Sequence, residues 1–530
     1  MTKLLVLADA LSPEGVAILE DSAGLNVADL SAQPREALKD RLGTAAGLIV
    51  RSSTQADADL LASAAELEVI GRAGVGLDNI DVEEATRRGI AVLNAPAGNT
   101  VSTAELAFAL LLSAARKIVA ADRSLRSGEW DRKRFRGPQL SGKTLGVIGA
   151  GRIGTEVVRR GRAFGMKVLI FDPFLPAGRA ADLDSVSVPL ERLLRESDFI
   201  TLHSPLTEEN QGLIGTEAIK LMKPEAILVN AARGGLVDEE ALAEALHEGR
   251  LGGAALDVYE TEPLPADHPL RDAPGLVLTP HLGSATPEAQ REVAIEIATA
   301  VRDALLDGDL RSAVNMPAVA EPARYDPIED MARRLGLVLS ELTGGRARRV
   351  DIRLSAPFEH SLRLVAAAVM EGYLSPVLAR PLNLVNSLLI AADRGIEVRR
   401  SRSPSVAGYS IFLELSAECG EDCEDCVIGG TLLGAKRSRL VRVGSYHIGA
   451  APAGNLLFVR NRDVPGVIGE IGTHLGAAGL NIAGFHQARD SARGDALAVI
   501  RVDEAIPDAL LKALREHEAI TDVRQVSFGD

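Results

Sequence analysis

Leu145-Gly-Val-Ile-Gly149-Ala-Gly151-Arg-Ile-Gly154, closed by Val168-Leu-Ile-Phe-Asp172, sets the architecture expected of this chain. It reads as an apolar strand, a glycine-rich turn, a helix, and a second apolar strand ending in an acid. Gly149 permits a tight turn, Gly151 lets backbone approach a pyrophosphate, and Gly154 lets the helix pack close to the strand. The helix N-terminus presents free N–H groups and the positive end of its dipole to phosphates. Asp172 stands where a carboxylate accepts both ribose hydroxyls of a dinucleotide and repels a 2′-phosphate. Pro173-Phe174 follow instead of an arginine, so the cofactor read from this motif is NAD.

Outward from the motif, short apolar strands alternate with amphipathic stretches, the pattern of parallel α/β sheets. Before it, strands fall at Leu4–Ala8, Gly47–Val50, Val69–Arg72 and Ile90–Leu93. Ser102-Thr-Ala-Glu105 reads as a capping box opening an apolar helix over Leu106–Ile118. From the motif onward, strands fall at Leu145–Ile148, Val168–Phe171, Phe199–Leu202, Ile227–Asn230, Gly253–Leu256 and Val277–Leu278, followed by a helix over Thr286–Leu306. Catalytic residues are expected at the carboxyl ends of such strands.

Further on the texture changes. Glu321–Asp330 reads as a linker. Residues 331–452 mix helices and strands without a catalytic-looking cluster, with turns at Gly429–Leu433 and Ile448-Gly449. From Gly454 a β-α-β-β-α-β order, ending in the strand Val523–Phe528, predicts a small ferredoxin-like unit.

A chain of 530 residues holds three or four domains. Its net charge of -15 argues against nonspecific binding to nucleic acid or an anionic membrane. No apolar run approaches the ~20 residues a membrane helix needs. The opening Met-Thr-Lys-Leu-Leu-Val-Leu-Ala-Asp9 reads as a strand rather than a signal peptide. Three cysteines in so long a chain argue against a disulfide framework, and the expected compartment is the cytoplasm.

Three strand-end segments carry groups suited to oxidising a 2-hydroxy acid. In Val229-Asn-Ala-Ala-Arg233, the arginine can grip a carboxylate bidentately. In Thr279-Pro-His281-Leu-Gly-Ser284, the histidine can take the hydroxyl proton as hydride leaves C2; imidazoles titrate near neutral pH. In Asp257-Val-Tyr-Glu-Thr-Glu262, the glutamate can orient that ring and stabilise the imidazolium.

With these segments, Arg72-Ala-Gly-Val-Gly-Leu-Asp-Asn-Ile-Asp81 and Asn230–Asp238 resemble the D-isomer-specific 2-hydroxyacid dehydrogenases, in a long form that covers essentially the whole chain. The resemblance implies two Rossmann-like doubly wound lobes, an α+β intervening domain and a ferredoxin-like ACT domain. It divides the chain into 1–98 plus 284–317 (substrate), 99–283 (NAD), 318–452 (intervening) and 453–530 (ACT). It implies Arg233, Glu262 and His281 as catalytic residues. It places NAD contacts on Val75, Gly149, Gly151, Arg152, Ile153, Gly154, Asp172, Ser204, Ala231, Asp257, Gly283 and Ser284.

The substrate implied is 3-phosphoglycerate. Its phosphate would meet Arg51-Ser52 and its carboxylate the backbone N–H groups of Ala73 and Gly74. Asn99 is a further contact, and Arg132 of the basic run Trp130–Arg136 would reach a neighbouring subunit's site. The resemblance also implies a homotetramer and an L-serine effector held by Asn461, Asp463 and Asn481 at an ACT–ACT interface. Cys419, Cys423 and Cys426 have ligand-like spacing but too few thiols among too many acids, so they read as a charged loop tip without metal. Two other readings stay open at this stage: a hydroxypyruvate or glyoxylate reductase of the same family, and a non-catalytic NAD-sensing scaffold.

Overall fold

The computed structural model describes residues 2–310, 312–316, 327–356, 361–378, 381–404, 406, 408–420, 424–434, 436–490 and 494–528. The first sheet is parallel and holds β1 (Lys3–Leu7), β2 (Leu25–Asp29), β3 (Gly47–Val50), β4 (Val69–Arg72) and β5 (Ala91–Asn94) in the order β2-β1-β3-β4-β5. Alternate side chains feed two cores. Leu5, Leu7 and Ile49 pack on one face, and Val6, Leu48 and Val50 on the other. β2 carries mixed polar residues at the edge and lacks the apolar run that marks its neighbours.

The second sheet is also parallel and has seven strands: β6 (Thr144–Ile148), β7 (Lys167–Phe171), β8 (Val186–Ser187), β9 (Phe199–Leu202), β10 (Ile227–Asn230), β11 (Gly253–Leu256) and β12 (Leu276–Leu278). Its order, β12-β11-β10-β9-β6-β7-β8, puts the reversal of strand order between β6 and β9. A crevice opens there at the carboxyl ends.

Two helices cross between the lobes. Thr100–Ala115 leaves the first sheet and packs on β10 and β11; Pro287–Asp307 returns and packs on β4 and β5. The first corrects the capping-box reading. The helix starts at Thr100 with Asn99 as N-cap, so Ser102 lies inside the first turn. Ser102 Oγ instead bonds Thr286 Oγ1 at 2.7 Å, and Glu105 pairs with Arg160 at 3.2 Å. The helix ends before Lys117, which is left-handed at φ 51°.

Beyond the lobes, residues 327–330 of the expected linker open the helix Pro327–Thr343; 321–326 lie outside the described residues. A six-stranded sheet follows: β13 (Arg349–Ser355), β14 (Glu397–Arg402), β15 (Phe412–Glu418), β16 (Cys426–Leu433), β17 (Arg437–Val443) and β18 (Tyr446–Ala450). Gly429, Gly430 and Gly449 therefore sit inside strands, not turns. A Cβ on Gly430 would stand 2.5 Å from Leu335 Cδ1, so the glycine admits the helix to the sheet. The last sheet holds β19 (Asn455–Arg462), β20 (Ile482–Arg489), β21 (Asp495–Val502) and β22 (Ile520–Ser527) in the antiparallel order β20-β21-β19-β22, with its helices on one face. Its other face shares one core with the six-stranded unit, through Leu456, Phe458, Val499 and Phe528.

The chain's return seals the open edge of the first sheet. Asn315 Oδ1 accepts from Val92 N at 2.9 Å, and its Nδ2 donates to Ile90 O and Thr86 Oγ1, both at 2.9 Å. Next to it the intervening unit docks. Asn383 Nδ2 donates to Gly89 O at 2.8 Å and Val385 is buried in the first lobe's core.

Removing an acceptor worth ~0.5–1.5 kcal/mol should free the β5 edge. Asn315→Ala is expected to speed exchange of the Val92 amide roughly threefold to tenfold by hydrogen-exchange mass spectrometry. An unchanged rate would show that the edge is protected by something else.

Candidate active site

At the carboxyl end of β6 the chain turns through Gly149, which is left-handed at φ 88° and donates to Phe171 O at 2.9 Å. A Cβ there would stand 2.7 Å from His203 O. Gly154 approaches the turn carbonyl of Gly149 rather than the strand, and any Cβ would collide with that oxygen. A Cβ on Gly151 would point into open space, the opening through which a phosphate could approach the first N–H groups of the helix Arg152–Ala163. The Asp172 carboxylate directly follows β7 and accepts from Ala150 N and Phe174 N, each at 2.9 Å. This donor set fits NAD: a glycine turn with a free approach, a helix N-terminus, and a fixed carboxylate at the ribose position.

A cavity of about 240 Å³ runs between the lobes and is lined by Val75, Asn99, Arg152, Ile153, Ser204, Ala231, Arg233, Asp257, His281, Gly283 and Ser284. Asn99 Oδ1 and Ser204 Oγ are buried there without a partner. His203 also lines the cavity and was missed from the sequence. Burial holds its imidazole down to about 3, so it stays neutral, with Nε2 2.9 Å from Thr201 Oγ1.

His281 Nδ1 lies 2.7 Å from Glu262 Oε2, and Glu262 Oε1 accepts from Tyr259 N at 3.0 Å. His281 itself is left-handed at φ 55°, a conformation that costs a non-glycine residue ~1–3 kcal/mol. The surrounding loop imposes it. His281 N donates to Asp257 O at 2.8 Å. The Asp257 carboxylate accepts from Thr279 Oγ1 at 2.6 Å, Leu282 N at 2.8 Å and Gly283 N at 2.9 Å. Asp257 is buried, which raises its carboxyl above the usual range despite these bonds. Its carboxylate shapes the His281–Gly283 loop, while the residue lines the cleft.

On the facing lobe the structure adds a residue that the sequence reading quoted but gave no role. Arg72 ends β4 with its Nε buried and unpartnered, beside Arg233 and Arg51. Burial, then repulsion from Arg233, lowers its guanidinium from the usual value. The loop beneath is Gly74-Val-Gly76. A Cβ on Gly74 would overlap the Arg72 guanidinium, and one on Gly76 the Arg233 guanidinium. Arg233 comes from the other lobe and pairs with Asp78 at 3.4 Å. Asn230 shapes its loop, donating to Arg233 O at 2.8 Å and accepting from Ala232 N at 3.0 Å.

The expected carboxylate grip by Ala73 and Gly74 is corrected. Ala73 N already donates to Val50 O and Gly74 N to Arg72 O, each at 2.8 Å. Arg51 and Ser52 lie just past β3, next to β1, at the point where the first sheet's strand order reverses. Arg132 is exposed and does not line this cleft.

The three effector residues do not converge within one chain. Asp463 is bonded by Arg489 at 3.2 Å, near the end of β20. Asn481 precedes β20 and donates to Asp503 at 2.6 Å. The register Ile482↔Val502 and Arg489↔Ala496 puts them at opposite ends of the sheet, roughly 20 Å apart. Asn461 alternates inward, is 2% exposed, and donates to Arg462 O at 2.8 Å. Of the cysteines, Cys419 is disulfide-bonded. Cys426 is free, and burial pushes its thiol to about 11. Cys423 lies outside the described residues.

Known families and proteins agree with this geometry. The family of the D-isomer specific 2-hydroxyacid dehydrogenase NAD binding domain matches residues 108–283. The D-3-phosphoglycerate dehydrogenase intervening domain matches 325–444, and the ACT domain 455–519. The D-3-phosphoglycerate dehydrogenase of Methanocaldococcus jannaschii is 40% identical over 532 residues, covering 100% of both chains. That of Archaeoglobus fulgidus is 39% identical over 99% of both. Among solved structures, the TT0316 protein of Thermus thermophilus is 38% identical with a TM-score of 0.53, over 59% of this chain and 99% of its own. The Aquifex aeolicus D-lactate dehydrogenase complexed with NAD and lactic acid is 31% identical with a TM-score of 0.50, over 58% of this chain and 97% of its own. The chain belongs to the D-3-phosphoglycerate dehydrogenases, within the D-isomer-specific 2-hydroxyacid dehydrogenase family.

Proposed function

We propose that this chain oxidises 3-phosphoglycerate at C2 to 3-phosphohydroxypyruvate, the entry step to L-serine. The observation that carries this reading is that Arg233 belongs to two sets at once. It shares the cleft with the His281–Glu262 pair and also lies beside Arg72, close to Arg51. The full-length relatives favour this reading over a hydroxypyruvate or glyoxylate reductase or a silent NAD sensor.

Bound NAD would supply the acceptor for the C2 hydride. Arg233 grips the substrate carboxylate and polarises the forming carbonyl. As the C2–H pair leaves, the hydroxyl proton passes to His281 Nε2, and Glu262 holds the resulting imidazolium through Nδ1. Arg72 and Arg51-Ser52 receive the phosphate, joined by Arg132 from a neighbouring subunit. Closure of the lobes excludes water from the hydride path.

The enzyme is read as a cytoplasmic homotetramer regulated through the ACT unit. Asp463 and Asn481 lie at opposite ends of β20. Antiparallel pairing of β20 with its copy therefore sets Asp463 of one chain beside Asn481 of the other. L-serine would bind between them, its ammonium on the aspartate. With Asn461 turned inward, two side chains rather than three recognise it.

His281→Asn should keep NADH binding while lowering kcat by ~10²–10⁴-fold, the share a general base supplies. Glu262→Gln should fall less, and near-normal turnover in His281→Asn would remove the histidine from the mechanism. Arg51→Ala and Arg72→Ala should each raise KM for 3-phosphoglycerate by roughly ten- to a hundredfold, since a hydrogen bond to a charged group is worth ~1.5–3 kcal/mol. Both should leave KM for D-glycerate nearly unchanged; equal losses on the two substrates would show that neither arginine reads the phosphate. Asp463→Ala should abolish inhibition by serine with uninhibited turnover intact. Calorimetry on the whole wild-type enzyme that detects no serine at millimolar concentration would assign the ACT unit another task.

A further inference from the structure

Asp9 lies two residues past β1, is 8% exposed, and pairs with no cation among the described residues. A buried anion beside a cleft that receives an anion works against binding unless it does something a neutral residue cannot. Its oxygens show what that is. Oδ2 accepts from Arg51 N at 2.5 Å and Thr54 N at 3.3 Å, and Oδ1 accepts from Thr54 Oγ1 at 3.0 Å. Three donors converge, and only a carboxylate is acceptor-only on both atoms.

From the opposite side Asn79, also 8% exposed, donates through Nδ2 to Arg51 O and Thr54 O, both at 2.6 Å. Both peptide groups of Arg51 are therefore held by side chains. Asn79 belongs to the loop that follows Arg72, so it also ties the two arginine-bearing loops together. Arg51 and Arg72 repel one another. Loops free to move would let them part, and the tie prevents it.

We propose that Asp9 and Asn79 are positioning residues for the phosphate end of the substrate, fixing the Arg51–Thr54 turn before substrate arrives. The inference rests on reading Arg51-Ser52 as the phosphate pair. A preset turn removes an ordering cost that substrate binding would otherwise carry. Its loss therefore raises KM and leaves kcat alone.

The test uses the full-length enzyme and two substrates, 3-phosphoglycerate and D-glycerate. Thr54→Val keeps shape and removes one bond to Asp9. It is expected to raise KM for 3-phosphoglycerate roughly threefold to tenfold, the span of one hydrogen bond, with kcat and the D-glycerate KM unchanged. Asp9→Asn, which turns a donor toward a donor, is expected to act in the same direction and further. If it does not fold, Thr54→Val carries the test. In an Arg51→Ala background, Thr54→Val should add nothing, because it acts through Arg51. Losses that add in full, or a rise shared equally by D-glycerate, overturn the inference while leaving the phosphate reading standing. An Arg51→Ala variant that treats both substrates alike overturns both.

Discussion

Three guanidinium groups from two lobes converge on one cleft, and the carboxylates around them do not balance their charge. Asp78 pairs with Arg233, but Arg72 has no ion-pair partner among the described residues. Burial and like charge both disfavour the ionised Arg72, and the carboxylates of Asp78 and Asp9 offset them only in part. A substrate with an anion at each end cancels what remains. On the proposed reading, a 2-hydroxy acid that lacks the phosphate brings only its carboxylate and gains less from entering.

Such a cluster survives only where the backbone cannot relax. Parallel strands leave unpaired N–H and C=O groups at their carboxyl ends, and a few buried polar side chains occupy them here. Asp257 takes the amides after His281, Asn230 closes the Arg233 loop, and Asp9 with Asn79 closes the Arg51 loop. Each working side chain thus stands on a loop whose peptide groups are already bonded. Glycines complete the arrangement by absence: a Cβ at Gly74 or Gly76 would occupy the space of a guanidinium.

The parallel sheets, the glycine turn and the His281–Glu262 pair were legible in the sequence because each has local periodicity or a recognisable neighbour. What misled was local pattern with a distant partner. Ser102-x-x-Glu105 has the form of a capping box, yet Ser102 bonds Thr286 and Glu105 bonds Arg160. Ala73 and Gly74 carry amides in a suggestive place, but the strand ladder and a tight turn use them. Asp9 looked like an ordinary strand-end acid, since its partners lie 42 and 45 residues away. The effector residues were grouped by resemblance, and only the register of β20 against β21 shows that a single chain holds them apart.

The same long-range ties constrain how the lobes can move. The two crossings between them run side by side and are fastened together: Thr103 Oγ1 donates to Gly283 O at 3.0 Å, and Gly98 N donates to Glu296 Oε2 at 2.9 Å. Two fastened crossings leave opening and closing as the soft motion and resist sliding. Arg233 reaches Asp78 across the gap at 3.4 Å. The intervening unit grips the first lobe at Gly89, just before β5 runs into the first crossing.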